Sequence, residues 1–253
     1  MLSALIDNFE DQAVQSLLFV VENLLLAPQK EQMNEKPEEE SKTDFETVNV
    51  MEYSYDSKNP KHKWKKREVG LLVMGLFAED ISMFKTRKGS DFNIDNVFEH
   101  VILSDLSNAL IAPFIKGRSL WCAAQMSEML AYNHPLCQKT YELTLGSLPQ
   151  ANMLPVRLSA CRALVRFTSK VDTQQIPNYS NVCAEILIHL TDLLNYCNAE
   201  TLHIPIEAIT FISRLDSSAV SKIAPHTTPK LLELFKLYHN ESLIGPDLLD
   251  LFK

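Results

Sequence analysis

From Trp64 onward apolar residues return every three or four positions, and no stretch alternates at period two for long. This pattern predicts amphipathic helices over about 65–83, 95–110, 117–132, 136–148, 155–168, 180–196, 203–215, 228–239 and 242–252. Several have chemical entrances. Thr228-Pro229 places a capping hydroxyl before a proline at the first helical position, where a missing N–H has no partner to lose. Pro155 and Pro205 sit in first turns in the same way. An all-α protein is expected.

The helices repeat. Ile102–Leu106 through Gly117–Trp121 aligns with Tyr141–Leu145 through Val156–Ala160, then with Ile186–Leu190 through Ile204–Ile209. Leu231–Phe235 through Leu243–Pro246 continues the series. Each unit is a leucine-rich helix, a turn, and a second helix entered through small residues and often an arginine. Arg67, Arg118 and Arg157 follow one another at 51 and 39 residues. Periods near 40–50 with two helices per unit are the HEAT and armadillo signature, in which a pair buries its apolar face only by stacking on neighbours. The expected fold is a right-handed α-α superhelix of about five helix pairs. A compact helical bundle is the rival, and the recurring arginine entrance decides against it. Arg118 and Arg157 are expected to be structural, bridging acids on neighbouring repeats.

Residues 1–27 fit part of one such unit: Leu5-Ile-Asp-Asn-Phe9, then a helix carrying Leu17, Leu18, Val21, Leu24 and Leu25. Residues 28–63 break the pattern and read as an acidic disordered loop or degenerate repeat, with a short helix around 44–53. Over 28–60, four lysines stand against nine carboxylates, a balance of −5 in a chain whose net charge is −8. Such a segment buries too little apolar surface to order itself. Glu35, Glu38, Glu39, Glu40, Asp44 and Glu46 are candidates for contact with a basic partner, with a solubilising loop as the plainer reading. The segment ends at a basic run, Lys61, Lys63, Lys65, Lys66 and Arg67. That run is a candidate interaction patch for acidic protein, nucleic acid or the preceding loop, or a nuclear-localisation signal. The plainer reading is a solvated helix entrance with Trp64 packed inward. Residues 64–253 form the solenoid segment.

Composition removes several classes. Glycine is scarce, 6 residues of 253, or about 2% against a usual ~7%. Sandwiches and nucleotide-binding sheets, which need glycine at turns and phosphate loops, are disfavoured. Gly70-Leu-Leu-Val-Met-Gly75 has the glycine spacing of a phosphate loop but continues Leu76-Phe77 where lysine and a hydroxyl are required. Helix approach is the better reading of those glycines. The five cysteines never form C-x-x-C, so reduced, buried thiols in a cytosolic or nuclear protein are expected, with no metal and no cofactor. His189 and Asp192, one turn apart, are a candidate pair. His203, His226 and His239 are placed at helix ends. No serine, histidine and acid combination emerges, so no catalytic residue is assigned. The acidic balance argues against direct nucleic-acid binding, and the longest apolar run is too short and polar for a membrane span.

The helix entrances carry a resemblance. Trp64-Lys-Lys-Arg-Glu-Val-Gly70, Val101-Ile-Leu-Ser-Asp-Leu106, Pro113-Phe-Ile-Lys-Gly-Arg-Ser-Leu-Trp121, Pro155-Val-Arg-Leu-Ser-Ala-Cys-Arg-Ala-Leu164 and Leu234-Phe-Lys-Leu-Tyr-His-Asn240 resemble, in order and spacing, the middle of an importin-β-type nuclear transport receptor. The likeness covers 1–27 and 64–253; the acidic stretch before Trp64 departs from it. It implies a HEAT solenoid that binds basic protein cargo such as histones. It also implies release under control of the Ran GTPase, whose main site would lie elsewhere, contact with nucleoporins, and shuttling between cytoplasm and nucleus. The rival from another class is a HEAT scaffold subunit of a multiprotein complex.

Overall fold

The computed structural model describes residues 63–88, 93–242 and 244–251. The acidic candidates and Lys61 lie outside them, as do the expected helix near 44–53 and the reading of 1–27. The chain divides into two compact units between Phe92 and Asn93, inside the 64–253 span. Among the described residues every regular element is helical.

In the first unit, α1 (Lys63–Leu76) and α2 (Ala78–Lys88) form nearly one rod. Phe77 interrupts it, yet the Phe77 amide reaches Val73 O at 3.0 Å and the Ile81 amide reaches Phe77 O at 2.9 Å. Leu71, Met74, Ala78, Ile81 and Phe84 are buried at three- and four-residue steps, the stripe of an amphipathic helix. Gly70 and Gly75 are buried within α1. Their amides are therefore part of a helix and do not form a phosphate loop.

The second unit is a two-layered stack of helix pairs. Its first helix, α3, runs through Ile94–Val97, a π-helical turn Phe98–Ile102, and Leu103–Ser107. It is followed by α4 (Pro113–Met126), α5 (Pro135–Leu145), α6 (Leu154–Thr168), α7 (Tyr179–Leu193), α8 (His203–Leu215), α9 (Ser217–Tyr238) and α10 (Ile244–Leu251). Each odd-numbered helix from α3 pairs with the next even one. In one layer α4 packs on α6, α6 on α8 and α8 on α10; in the other α3 packs on α5 and α7 on α9. This is an all-α, repeat-type, solenoid-like architecture. Its cohesion comes from apolar positions shared between neighbouring pairs, such as Phe98 edge-on to Phe167 with ring centres 6.3 Å apart.

Local chemistry fixes the ends. Proline occupies the first turn of α4, α5 and α6. Two turns between pairs need a left-handed residue, and asparagine supplies it at Asn133 (φ 56°) and Asn178 (φ 53°). The close approach of α4 to α6 relies on Gly117, where a Cβ would lie 3.3 Å from Pro155 O.

The largest departure from the expected boundaries is at α9. The helix expected at 228–239 starts at Ser217, so Thr228 is not a cap and Pro225 and Pro229 lie inside α9. Asp216 is the cap: its Oδ1 accepts the amides of Ser218 (2.8 Å) and Ala219 (3.0 Å). Both prolines are exposed, while Ala219, Ile223, Thr227, Leu231 and Leu234 form the buried stripe. The stripe's burial outweighs the helical hydrogen bonds that the prolines remove.

Candidate functional site

Lys63, Lys65, Lys66 and Arg67 open α1. The Lys65 ammonium lies 5.7 Å from the ring centre of the adjacent Trp64, and Trp64 and Arg67 are half-buried. Arg118, half-buried on α4, stacks over Trp121 one turn on, at 5.2 Å.

Arg157 joins neighbouring repeats, but not through acids. It is 2% exposed; its Nε donates to Leu148 O at 2.8 Å and its terminal nitrogen to His189 O at 3.3 Å. A buried guanidinium is here satisfied by two backbone carbonyls, because the end of α5 and the flank of α7 meet α6 where no carboxylate of the described residues reaches.

The expected His189–Asp192 pair does not form. His189 faces Glu185, one turn back, at 3.8 Å; Asp192 reaches across to His226 on α9 at 3.2 Å. His226 is accordingly a mid-helix seam residue and not a terminal one. His203 opens α8 and His239 closes α9, as their sequence positions imply.

Two recesses among the described residues bear on function. The smaller, about 220 Å³, lies between the end of α5 and the flank of α7. Leu145, Leu148, Pro149, Val182 and Ile186 make it mainly apolar, with Glu185 and His189 beside it.

The larger, about 310 Å³, is a groove across α6, α8 and α10. That volume is at the lower end of the ~300–1,000 Å³ typical of ligand pockets. One stripe of α8, His203, Glu207, Thr210, Phe211 and Arg214, forms its middle wall. Val165 closes it from α6, and Asp247 and Asp250 from α10. The Arg214 guanidinium meets Asp250 Oδ2 at 2.6 Å, while Glu207 and Asp247 have no cationic partner among the described residues. With histidine neutral, three carboxylates against one guanidinium leave two negative charges beside the apolar surface of Phe211 and Val165. Such a groove can hold the aliphatic stem and charged head of a lysine or arginine.

The i, i+4, i+11 spacing of His203, Glu207 and Arg214 was visible in the sequence as one helix stripe. The part played by Asp247 and Asp250 was not, since it depends on α10 packing against α8.

Among the described residues no group of three or more histidine, cysteine or acidic side chains could hold a metal ion. No described helix is long and apolar enough to cross a membrane. All five cysteines are free thiols, and burial pushes the Cys122 thiol up to about 12 and Cys161 still higher. No family model matches the chain.

Proposed function

We propose that this protein is a nuclear import receptor of the importin-β type, most like importin-9 in the order of its helix entrances. It binds basic protein cargo such as histones by charge neutralisation and not by chemistry. The carrying observation is the groove across α6, α8 and α10, where Glu207 and Asp247 present carboxylates without a cationic partner among the described residues, on a layer of successive second helices. A basic segment lying along that layer exchanges solvation for carboxylate contact. No bond is made or broken.

Release under the Ran GTPase requires neighbouring pairs to shift against one another. The seam between α7 and α9 adds short polar contacts to its apolar packing, and such contacts can re-form after a small shift. Ser180 and Ser218 hydroxyls lie 2.6 Å apart, Lys222 Nζ reaches Asn181 Oδ1 at 2.8 Å, and Thr191 and Thr227 hydroxyls lie 3.0 Å apart. Nucleoporins are the third partner class in this reading, and shuttling between cytoplasm and nucleus follows from it.

A pull-down with core histones and with GTP-loaded Ran tests the proposal. Histone capture should fall steeply as salt shortens the screening length, which is ~10 Å at 0.1 M. Failure to capture histones at low salt would overturn it. The apolar recess between α5 and α7 favours a second reading, a HEAT scaffold that holds another protein through nonpolar contact. Partner binding indifferent to salt would select that alternative.

A further inference from the structure

The groove across α6, α8 and α10 contains its own cation. Arg214 reaches across from α8 to Asp250 on α10 at 2.6 Å, although the two side chains are 64% and 45% exposed. Among the described residues this is the only hydrogen bond that holds the guanidinium, so one solvent-facing ion pair keeps the arginine in place. Pairs of this kind are weak, because solvent screens the attraction and holding a long side chain still costs entropy. Glu207 and Asp247, in the same groove, have no such partner among the described residues. A basic side chain entering would meet two unpaired carboxylates and a third already engaged by a group of its own chemistry.

We propose that Arg214 is an internal competitor for the groove's basic ligands: it holds Asp250 in the free protein and must swing away for full engagement. The inference rests on the reading that the groove receives basic protein, and adds that the fold restrains its own affinity there. Arg214 is thereby a residue that lowers affinity and speeds release. Removing it should tighten binding, whereas loss of a residue that merely supports the groove would weaken it.

The test uses the full chain and a fluorescent arginine–glycine repeat peptide, with a glutamine–glycine peptide as control, followed by anisotropy at low salt. Circular dichroism confirms that each variant folds. Arg214→Gln should bind about two- to fivefold tighter, the range that release of one exposed ion pair allows. Lys139→Gln, the same change of charge at an exposed residue of α5 away from the groove, should leave affinity unchanged. Glu207→Gln combined with Asp247→Asn should weaken binding. If the wild type binds and Arg214→Gln binds equally or less well, Arg214 is not a competitor. If Arg214→Gln and Lys139→Gln tighten binding alike, net charge accounts for the effect and the proposal falls. If the peptide binds but Glu207→Gln with Asp247→Asn has no effect, the groove reading itself fails. Absence of binding by every variant overturns both.

Discussion

The Arg157 guanidinium lies 5.4 Å from the centre of the Tyr196 ring, packed beneath it at the end of α7. Tyr196 in turn has its hydroxyl against the Gln150 side chain, so a residue of the α5–α6 turn, one of α6 and one just after α7 form a single clamp. The clamp joins one helix pair to the next using carbonyl acceptors and an aromatic face. It satisfies a buried cation without burying a counter-ion.

Arg157→Ala should therefore lower stability by about 2–4 kcal/mol, since it strands two carbonyls and empties the space under Tyr196. Arg157→Lys should rescue little, because an ammonium cannot span Leu148 O and His189 O while stacking on a ring. Urea unfolding followed by far-ultraviolet circular dichroism measures both. A change below about 0.5 kcal/mol for the alanine variant, the scale of an ordinary surface substitution, would show that the clamp is not structural.

Glycines of α10 and α5 should respond in opposite directions. A Cβ at Gly245 would lie 2.6 Å from His239 O, a backbone atom that can move only with the α9–α10 turn. Gly245→Ala should cost about 1–3 kcal/mol despite alanine's better helix propensity. At Gly146 the nearest atoms would be 3.7 Å away and the backbone is already right-handed helical, φ −63°. Gly146→Ala should be neutral or stabilising by up to about 1 kcal/mol. Thermal melts of the two variants decide the matter, and equal shifts would contradict it.

Asp216 should make α9 sensitive to acid. Its carboxyl is held below the ordinary value, first by the Ser218 hydroxyl and then by the Ala219 amide. A folded-state pKa below the unfolded one gives stability that is full above the unfolded value, about 3.9, and is lost as pH falls through the folded value. The melting-temperature gap between wild type and Asp216→Ala should thus be constant near neutral pH and shrink below about pH 4. A gap that widens on acidification would refute the cap's charged character.

Thiol chemistry should follow burial. Cys122, Cys137, Cys161 and Cys183 are buried and Cys197 is half-buried. With an aromatic disulfide reagent, Cys197 should react first in the native protein, and Cys122 and Cys161 only on unfolding. Prompt titration of all five thiols under native conditions would contradict this packing. So would protection of Cys197 alone.

The sequence by itself determined the helical class, the pairing into repeats and most helix limits. Each of these depends on neighbours within a few turns: apolar spacing at 3.6 residues and first-turn prolines such as Pro155 and Pro205. Local rules misled at α9, where Thr228-Pro229 looked like a helix start. The packing of Ala219, Ile223 and Thr227 carries the helix through both prolines, and that stripe matters only once α7 is beside it. Arg157 was legible as a recurring structural arginine, but its partners were not. Backbone carbonyls carry no sequence signature, so whether Arg157 met an acid or a peptide oxygen was decided by where the end of α5 and the flank of α7 came to rest. The groove has the same origin. Glu207 and Arg214 share a stripe by helical spacing alone, whereas Asp247 and Asp250 join them only because α10 stacks on α8. Helix faces follow from the covalent order of the chain, while the meeting of two faces follows from burial of apolar surface shared between repeats.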